Sequence, residues 1–199
     1  MNSIRVTFLA VSLIILSGCA APNFVKPAPD KLLLGKSTRE DVIRSVGNAQ
    51  PIPGDATVNG ENIHMLTYNY GESPKFWGLV IKRRTQTYTL FNGVLVGDEY
   101  NSTFDDDYTD FDAEKAASIR KGKTTRSEVI ALLGKPSGNV LYPLVADRQD
   151  HGLVYAYTYA RFAGILTSVK SKVLVVTLNG DDVVSNVSLK LNGDEQIKQ

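Results

Sequence analysis

The 199-residue chain lines up with itself when shifted by 87 positions (122 − 35), and no gap is needed. Gly35-Lys36 falls on Gly122-Lys123, Thr38-Arg39 on Thr125-Arg126, Val42-Ile43 on Val129-Ile130 and Gly47 on Gly134. Farther on, His64 falls on His151, Leu66 on Leu153, Tyr68 on Tyr155, Tyr70 on Tyr157 and Asn92-Gly93 on Asn179-Gly180. Ordered matches at one offset mark a duplicated unit and restrict the fold to two copies of one small domain. The copies span residues 30–101 and 112–191.

Each copy carries the same local signals. Thr38 with Asp41, and Thr125 with Glu128, have the spacing of a capping box, which starts a helix by satisfying its first free N–H groups. Val42, Ile43 and Val46, and Val129, Ile130, Leu132 and Leu133, form the apolar stripes of those helices, which Gly47 and Gly134 end. Asp30 and Asp112 are placed to cap a shorter preceding helix, ended by Gly35 and Gly122. Residues 63–70 and 153–160 alternate as strands. Residues 85–91 and 94–100, and 172–178 and 181–191, flank Asn-Gly turns of the hairpin type. The expected fold class is α+β. It consists of two tandem helix-helix-strand-strand-strand units, each a helix pair packed on a three-stranded antiparallel meander.

The ends of the chain point to the cell envelope. Arg5 precedes an apolar run, VTFLAVSLIIL, that suits a signal peptide and is too short to span a bilayer. Leu16-Ser17-Gly18-Cys19 follows and resembles a bacterial lipobox, with the only cysteine in the chain at its end. The expected organisation is a signal peptide over 1–18 and a lipidated, proline-bearing tether over 19–29. The first copy covers 30–101, an acidic linker 102–111, the second copy 112–191 and a tail 192–199. The resemblance implies a diacylglycerol and an N-acyl chain on Cys19, with no other cofactor. Ala20 is not the aspartate that marks inner-membrane retention in this class. The resemblance therefore implies the outer membrane, facing the periplasm. Without Arg5, the basic residues balance the 21 acidic ones, so nothing favours nucleic acid as a partner. A lone cysteine leaves no intramolecular disulfide, and the fold must rest on core packing.

The run Gly122-Lys123-Thr124-Thr125-Arg126, then Glu128-Val129-Ile130, then Leu132-Leu133-Gly134-Lys135-Pro136-Ser137, resembles the SmpA/OmlA domain of BamE-like outer-membrane lipoproteins. The match is best over 118–137 and weaker in the first copy. The two-copy layout is similar to that of the related β-lactamase-inhibitor-protein fold. The resemblance implies a lipid-anchored, non-catalytic protein, not an enzyme, that binds an envelope protein and supports outer-membrane barrel assembly or envelope integrity. An alternative is an inhibitor-like protein presenting a concave sheet, made from both copies, to a periplasmic enzyme.

Gly35-Lys36-Ser37 and Gly122-Lys123-Thr124 look like the end of a nucleotide-binding P-loop. The motif needs a glycine five positions earlier, where Asp30 and Ala117 stand, so no nucleotide is expected. His64 and His151 hold equivalent positions, and duplication accounts for both as strand-edge residues; a shared metal would require them to meet. The acidic run Asp105, Asp106, Asp107, Asp110 and Asp112 lacks the spacing and glycine of a calcium loop and reads as a solvated joint. Tyr68 and Tyr70, and Tyr155 and Tyr157, share strand faces. They fit a partner surface and burial under the helices equally well. Phe76 and Trp77, beside Lys82-Arg83-Arg84, point to a protein or membrane contact, with Phe162 at the corresponding place in the second copy. No catalytic triad or metal set can be assembled from these residues.

Overall fold

The computed structural model describes residues 24, 26, 31–72, 80–163 and 166–193, without the side chains of 162–167. Among the described residues, two α-helices, one 3₁₀ turn and eight strands follow in order. They are α1 (Arg39–Val46), β1 (Ile52–Val58), β2 (Glu61–Gly71), β3 (Arg83–Phe91), β4 (Val94–Ser102), the 3₁₀ turn (Glu114–Ser118), α2 (Arg126–Leu133), β5 (Gly138–Leu141), β6 (His151–Ala163), β7 (Leu166–Leu178) and β8 (Val184–Asn192). All eight strands join one antiparallel sheet in the order of the sequence.

This corrects the expected fold class. Neither helix pairs nor separate three-stranded meanders form. Only the second helix of each expected pair exists, and the strands make one continuous sheet. Residues 31–36 are turns. Four residues before Gly35 are too few to offset the cost of nucleating a helix. In the second copy the Asp112 carboxylate accepts from the Glu114 N–H at 3.1 Å, but the chain completes only the 3₁₀ turn before Ile119 becomes extended. An added strand opens each sheet half: β1 and β5. Pro51 and Pro53, just before and within β1, look like a loop in sequence. Pro53 is tolerated because β1 is an edge strand, where a missing N–H costs no ladder bond. The turn into β2 is Asn59-Gly60, both at positive φ. Asn92-Gly93 forms the expected tight hairpin. Asn179-Gly180 does not. There Asp182 takes the left-handed conformation, and the Asn179 side chain accepts from the Asp181 and Val183 N–H groups at 3.1 and 3.0 Å.

Both capping boxes form as expected, at Thr38/Asp41 and Thr125/Glu128. The P-loop-like tripeptides lie in the approach to each helix. Gly35 N–H donates to Leu95 O and Gly122 N–H to Val184 O, at 2.7 and 2.8 Å. Each approach is thus laced to the last strand of its own half, which sets the helix on the sheet.

The helices cover one face. Val42 and Val46 of α1 pack on Leu66, Tyr68, Tyr88, Leu90 and Leu95. Val129 of α2 packs on Leu153, Tyr155, Leu174, Val176 and Leu178. The opposite face is concave. Ala56 on β1 and Val175 on β7 line one cavity of about 470 Å³ together with residues of every strand between them. In a flat sheet those strands stand about 29 Å apart, at ~4.8 Å per step, so the sheet must curl around the cavity.

Candidate functional site

Of the tyrosines that fit a partner surface and burial equally well, Tyr68 and Tyr155 lie under the helices, and Tyr157 is covered by Tyr108 of the acidic joint, with ring centres 5.0 Å apart. Tyr68, Tyr155 and Tyr157 are 1%, 2% and 5% exposed. Tyr70 is half-buried and stacks on Phe104 with ring centres 5.7 Å apart. Alternation explains the placement: Leu66, Tyr68 and Tyr70 share a strand face, and that face meets α1. Tyr155 donates to Gly134 O at 3.0 Å, and burial pushes its hydroxyl pKa up to about 12. The Tyr68 hydroxyl is buried with no hydrogen-bond partner among the described residues. Of the other expected contact residues, Phe162 lies on β6 opposite Thr167. Phe76, Trp77 and the lipidation residue Cys19 lie outside the described residues.

Two of the three cations of the basic cluster are engaged by the acidic joint, and Arg83 is exposed. Lys82 pairs with Asp105 at 2.7 Å, and Arg84 pairs with Asp106 and Asp107 at 2.7 and 2.8 Å. Arg83 donates to Asn69 Oδ1. Lys172 holds Asp110 at 2.6 Å. The acidic joint is therefore strapped onto the sheet through Asp107 and Asp110, while Asp105 and Asp106 keep 91% and 72% of their side chains exposed, as a solvated joint would. Asp107 is its hub and also accepts from the Tyr100 and Ser102 hydroxyls. Burial alone would raise its pKa, but the bonds from Ser102, Tyr100 and Arg84 outweigh that and hold it below the usual carboxylate range.

His64 and His151 do not meet. They sit on β2 and β6, with three strands between them, about 19 Å apart measured along the sheet at ~4.8 Å per step. Each has its own carboxylate: Asp55 for His64, and Asp182, at 2.9 Å, for His151. Among the described residues no group of three or more His, Cys, Asp or Glu side chains is arranged to hold a metal.

Nothing in the linear order of residues signals the concave groove, which is the structure's main candidate site. One register row crosses all eight strands: Ile52, Thr67, Thr87, Glu99, Gly138, Val154, Val175 and Ser188. At its centre the row carries the Thr67 and Thr87 hydroxyls on one side of the seam and the aliphatic Val154 and Val175 on the other, with the Glu99 carboxyl where the two halves meet. Thr67 and Thr87 hydroxyls stand 3.3 Å apart. Burial pushes the Glu99 carboxyl up, and the neighbouring Asp98 charge adds to it. No Lys, Arg or His among the described residues pairs with Glu99. Asp98 points the other way and accepts from Asn139 N–H at 3.0 Å.

The loop between β5 and β6 shapes one rim of the groove. Leu144 and Val145 fold onto the concave face beside Val140, Val154 and Ala156. Glycine below gives the loop room: a Cβ on Gly97 would lie 2.5 Å from Leu144 Cδ1, and that side-chain end would have to shift. The turn before β2 holds the loop in place, because Asn59 Nδ2 donates to Pro143 O at 2.8 Å. Tyr142 donates to Glu61 at 2.7 Å, and the Arg148 guanidinium lies 4.0 Å over the Tyr142 ring. These contacts bridge the two halves of the sheet across the curl.

No protein-family model, no curated protein and no solved structure matches the chain.

Proposed function

We propose that this chain is a lipid-anchored, non-catalytic protein of the SmpA/OmlA type. It is held at the outer membrane through Cys19 and faces the periplasm. There it binds an envelope protein and supports barrel assembly or envelope integrity. The observation that carries the reading is the seat of Phe24. Its ring is 7% exposed, between Tyr68 and Tyr100, at 6.3 and 6.4 Å between centres. Lys26 follows, 3.6 Å over the Tyr100 ring. Cys19 precedes Phe24 by five residues (24 − 19), a reach of about 18 Å at most. A lipid on Cys19 would hold the helix-bearing side close to the bilayer and leave the concave groove turned away from it. Such an orientation suits a protein that displays a rigid sheet to a partner.

The concave sheet built from both halves also favours the alternative of an inhibitor-like protein facing a periplasmic enzyme. The tyrosines expected to supply its surface are buried, so that reading has to use the groove instead.

The test is crosslinking in intact cells followed by mass spectrometry, with Cys19→Ala as the control. The full chain should label with a fatty-acid probe and capture an envelope protein, and both signals should be lost in Cys19→Ala. Labelling unchanged by Cys19→Ala, or no envelope protein captured above that control, overturns the proposal.

A further inference from the structure

We infer that the concave groove is the partner-binding site, and that it takes a segment of the partner protein that inserts a lysine or arginine side chain beside Glu99. The inference rests on the reading of the chain as a partner-binding envelope protein and specifies the chemistry of that partner.

Three features of the groove converge on such a side chain. Its volume of about 470 Å³ falls within the range of about 300–1,000 Å³ typical of binding sites. Its walls include Met65, Val140, Val154 and Val175, which suit the aliphatic stem of a long cationic side chain. At the centre stands a carboxyl that is half-buried and lacks a cation among the described residues. A buried carboxylate without a counter-charge is costly, and an incoming cation offsets that cost only if it is brought to this place. The Thr87 hydroxyl is next to Glu99 in the register row and the Thr67 hydroxyl follows. A cationic head at Glu99 has several N–H donors, and the adjacent Thr87 hydroxyl, itself 3.3 Å from the Thr67 hydroxyl, offers an acceptor beside the carboxylate.

The position of the groove favours a protein over a lipid headgroup. Phe24, five residues after Cys19 (24 − 19), is seated on the opposite, helix-bearing side. A headgroup in the anchoring bilayer would approach that side and not the groove. Asp98 also borders the groove, but it accepts from Asn139 N–H, which leaves Glu99 as the one carboxyl there without a partner among the described residues and suits one inserted side chain better than a polycation.

The experiment uses the full-length protein in intact cells. A photo-crosslinking benzophenone residue replaces Ile52, which is 61% exposed at the outer end of the Glu99 row. A second variant carries it at Lys121, exposed beside the helices. The expected result is capture of one envelope protein from position 52. Capture should fall at least tenfold in Glu99→Gln and further in Glu99→Lys. Replacing the basic residue of the crosslinked partner peptide by glutamate should restore capture in Glu99→Lys. The melting temperature of Glu99→Gln should not drop, since the neutral amide relieves an uncompensated charge; a purely structural role for Glu99 would lower it.

Capture from position 52 that is unchanged by both Glu99 variants overturns the inference. So does capture of a lipid there. Capture from position 121 alone overturns it too, while leaving the broader partner-binding reading intact. Capture from neither position overturns both.

Discussion

Tyr68 and Tyr155 occupy equivalent places 87 residues apart (155 − 68), yet their hydroxyls are treated differently. Tyr155 donates to Gly134 O, whereas the Tyr68 hydroxyl finds no acceptor among the described residues. A buried hydroxyl without a partner costs about 1–3 kcal/mol, and a made hydrogen bond contributes about 0.5–1.5 kcal/mol. Tyr68→Phe should therefore leave stability unchanged or raise it, and Tyr155→Phe should lower it by about 1 kcal/mol. Denaturant unfolding of the two variants decides the matter. Equal losses would mean that Tyr68 has an acceptor in the folded protein. Asp107 provides a second test at this scale. Its folded pKa is depressed, so it stabilises the fold above the ordinary carboxylate value of about 3.9 and loses that effect as pH falls through its folded value. Asp107→Asn should melt well below the parent at pH 7, and the gap should narrow at pH 3 and below. A gap that is constant with pH would refute the role of the ionised carboxylate as acceptor for Arg84, Tyr100 and Ser102.

At the scale of elements, what is legible in the sequence is what local chemistry decides. Thr38 and Asp41, and Thr125 and Glu128, announce α1 and α2 because a capping box is complete within four residues. Asn92-Gly93 announces its hairpin for the same reason. Local signals mislead where a neighbouring strand decides. Residues 52–58 contain proline, glycine and aspartate, and become β1 only because β2 offers a ladder and the edge tolerates Pro53. Asn59-Gly60 is a readable hairpin signal there, and it marks the one added strand that local chemistry could reveal. The tyrosine pattern fixes a shared face but not what covers it: helix and solvent both accept alternating tyrosines. The groove is hidden more deeply. Thr67, Thr87 and Glu99 are scattered in sequence, and only the register brings them into one row. The ion pairs of the acidic joint are not legible in sequence because its cations, Lys82, Arg84 and Lys172, lie 23, 22 and 62 positions away from Asp105, Asp106 and Asp110 (105 − 82, 106 − 84 and 172 − 110).

At the scale of the whole molecule, the question is how two cores act as one body. The apolar clusters under α1 and α2 are separate, and the halves meet at a narrow seam. Gly97, Asp98 and Glu99 of β4 pair with Val140, Asn139 and Gly138 of β5. Beyond the end of β5 the seam continues without a strand: Tyr100 N–H donates to Ser137 O, and Asn101 Nδ2 and Thr109 Oγ1 both donate to Ala156 O, at 2.9, 3.3 and 3.1 Å. Gly138 is the tightest point. A Cβ there would lie 1.8 Å from the Asp98 carbonyl oxygen, which is backbone and has no rotamer by which to retreat. Gly138→Ala must push β4 and β5 apart, and a cost of about 3 kcal/mol or more is expected from overpacking a site that cannot give. For a chain of this size that lowers the melting temperature by about 6–12 °C. Gly180→Ala is the control, since a Cβ there meets nothing within 4 Å, and it should stay within about 0.5 kcal/mol of the parent. The informative readout is amide hydrogen exchange at Leu66 in the first core and Leu174 in the second. If the seam makes one cooperative sheet, Gly138→Ala speeds exchange at both residues. Faster exchange at Leu174 with Leu66 unchanged would show two domains that merely touch, and the groove across the seam would then lack the rigidity that binding through Glu99 requires.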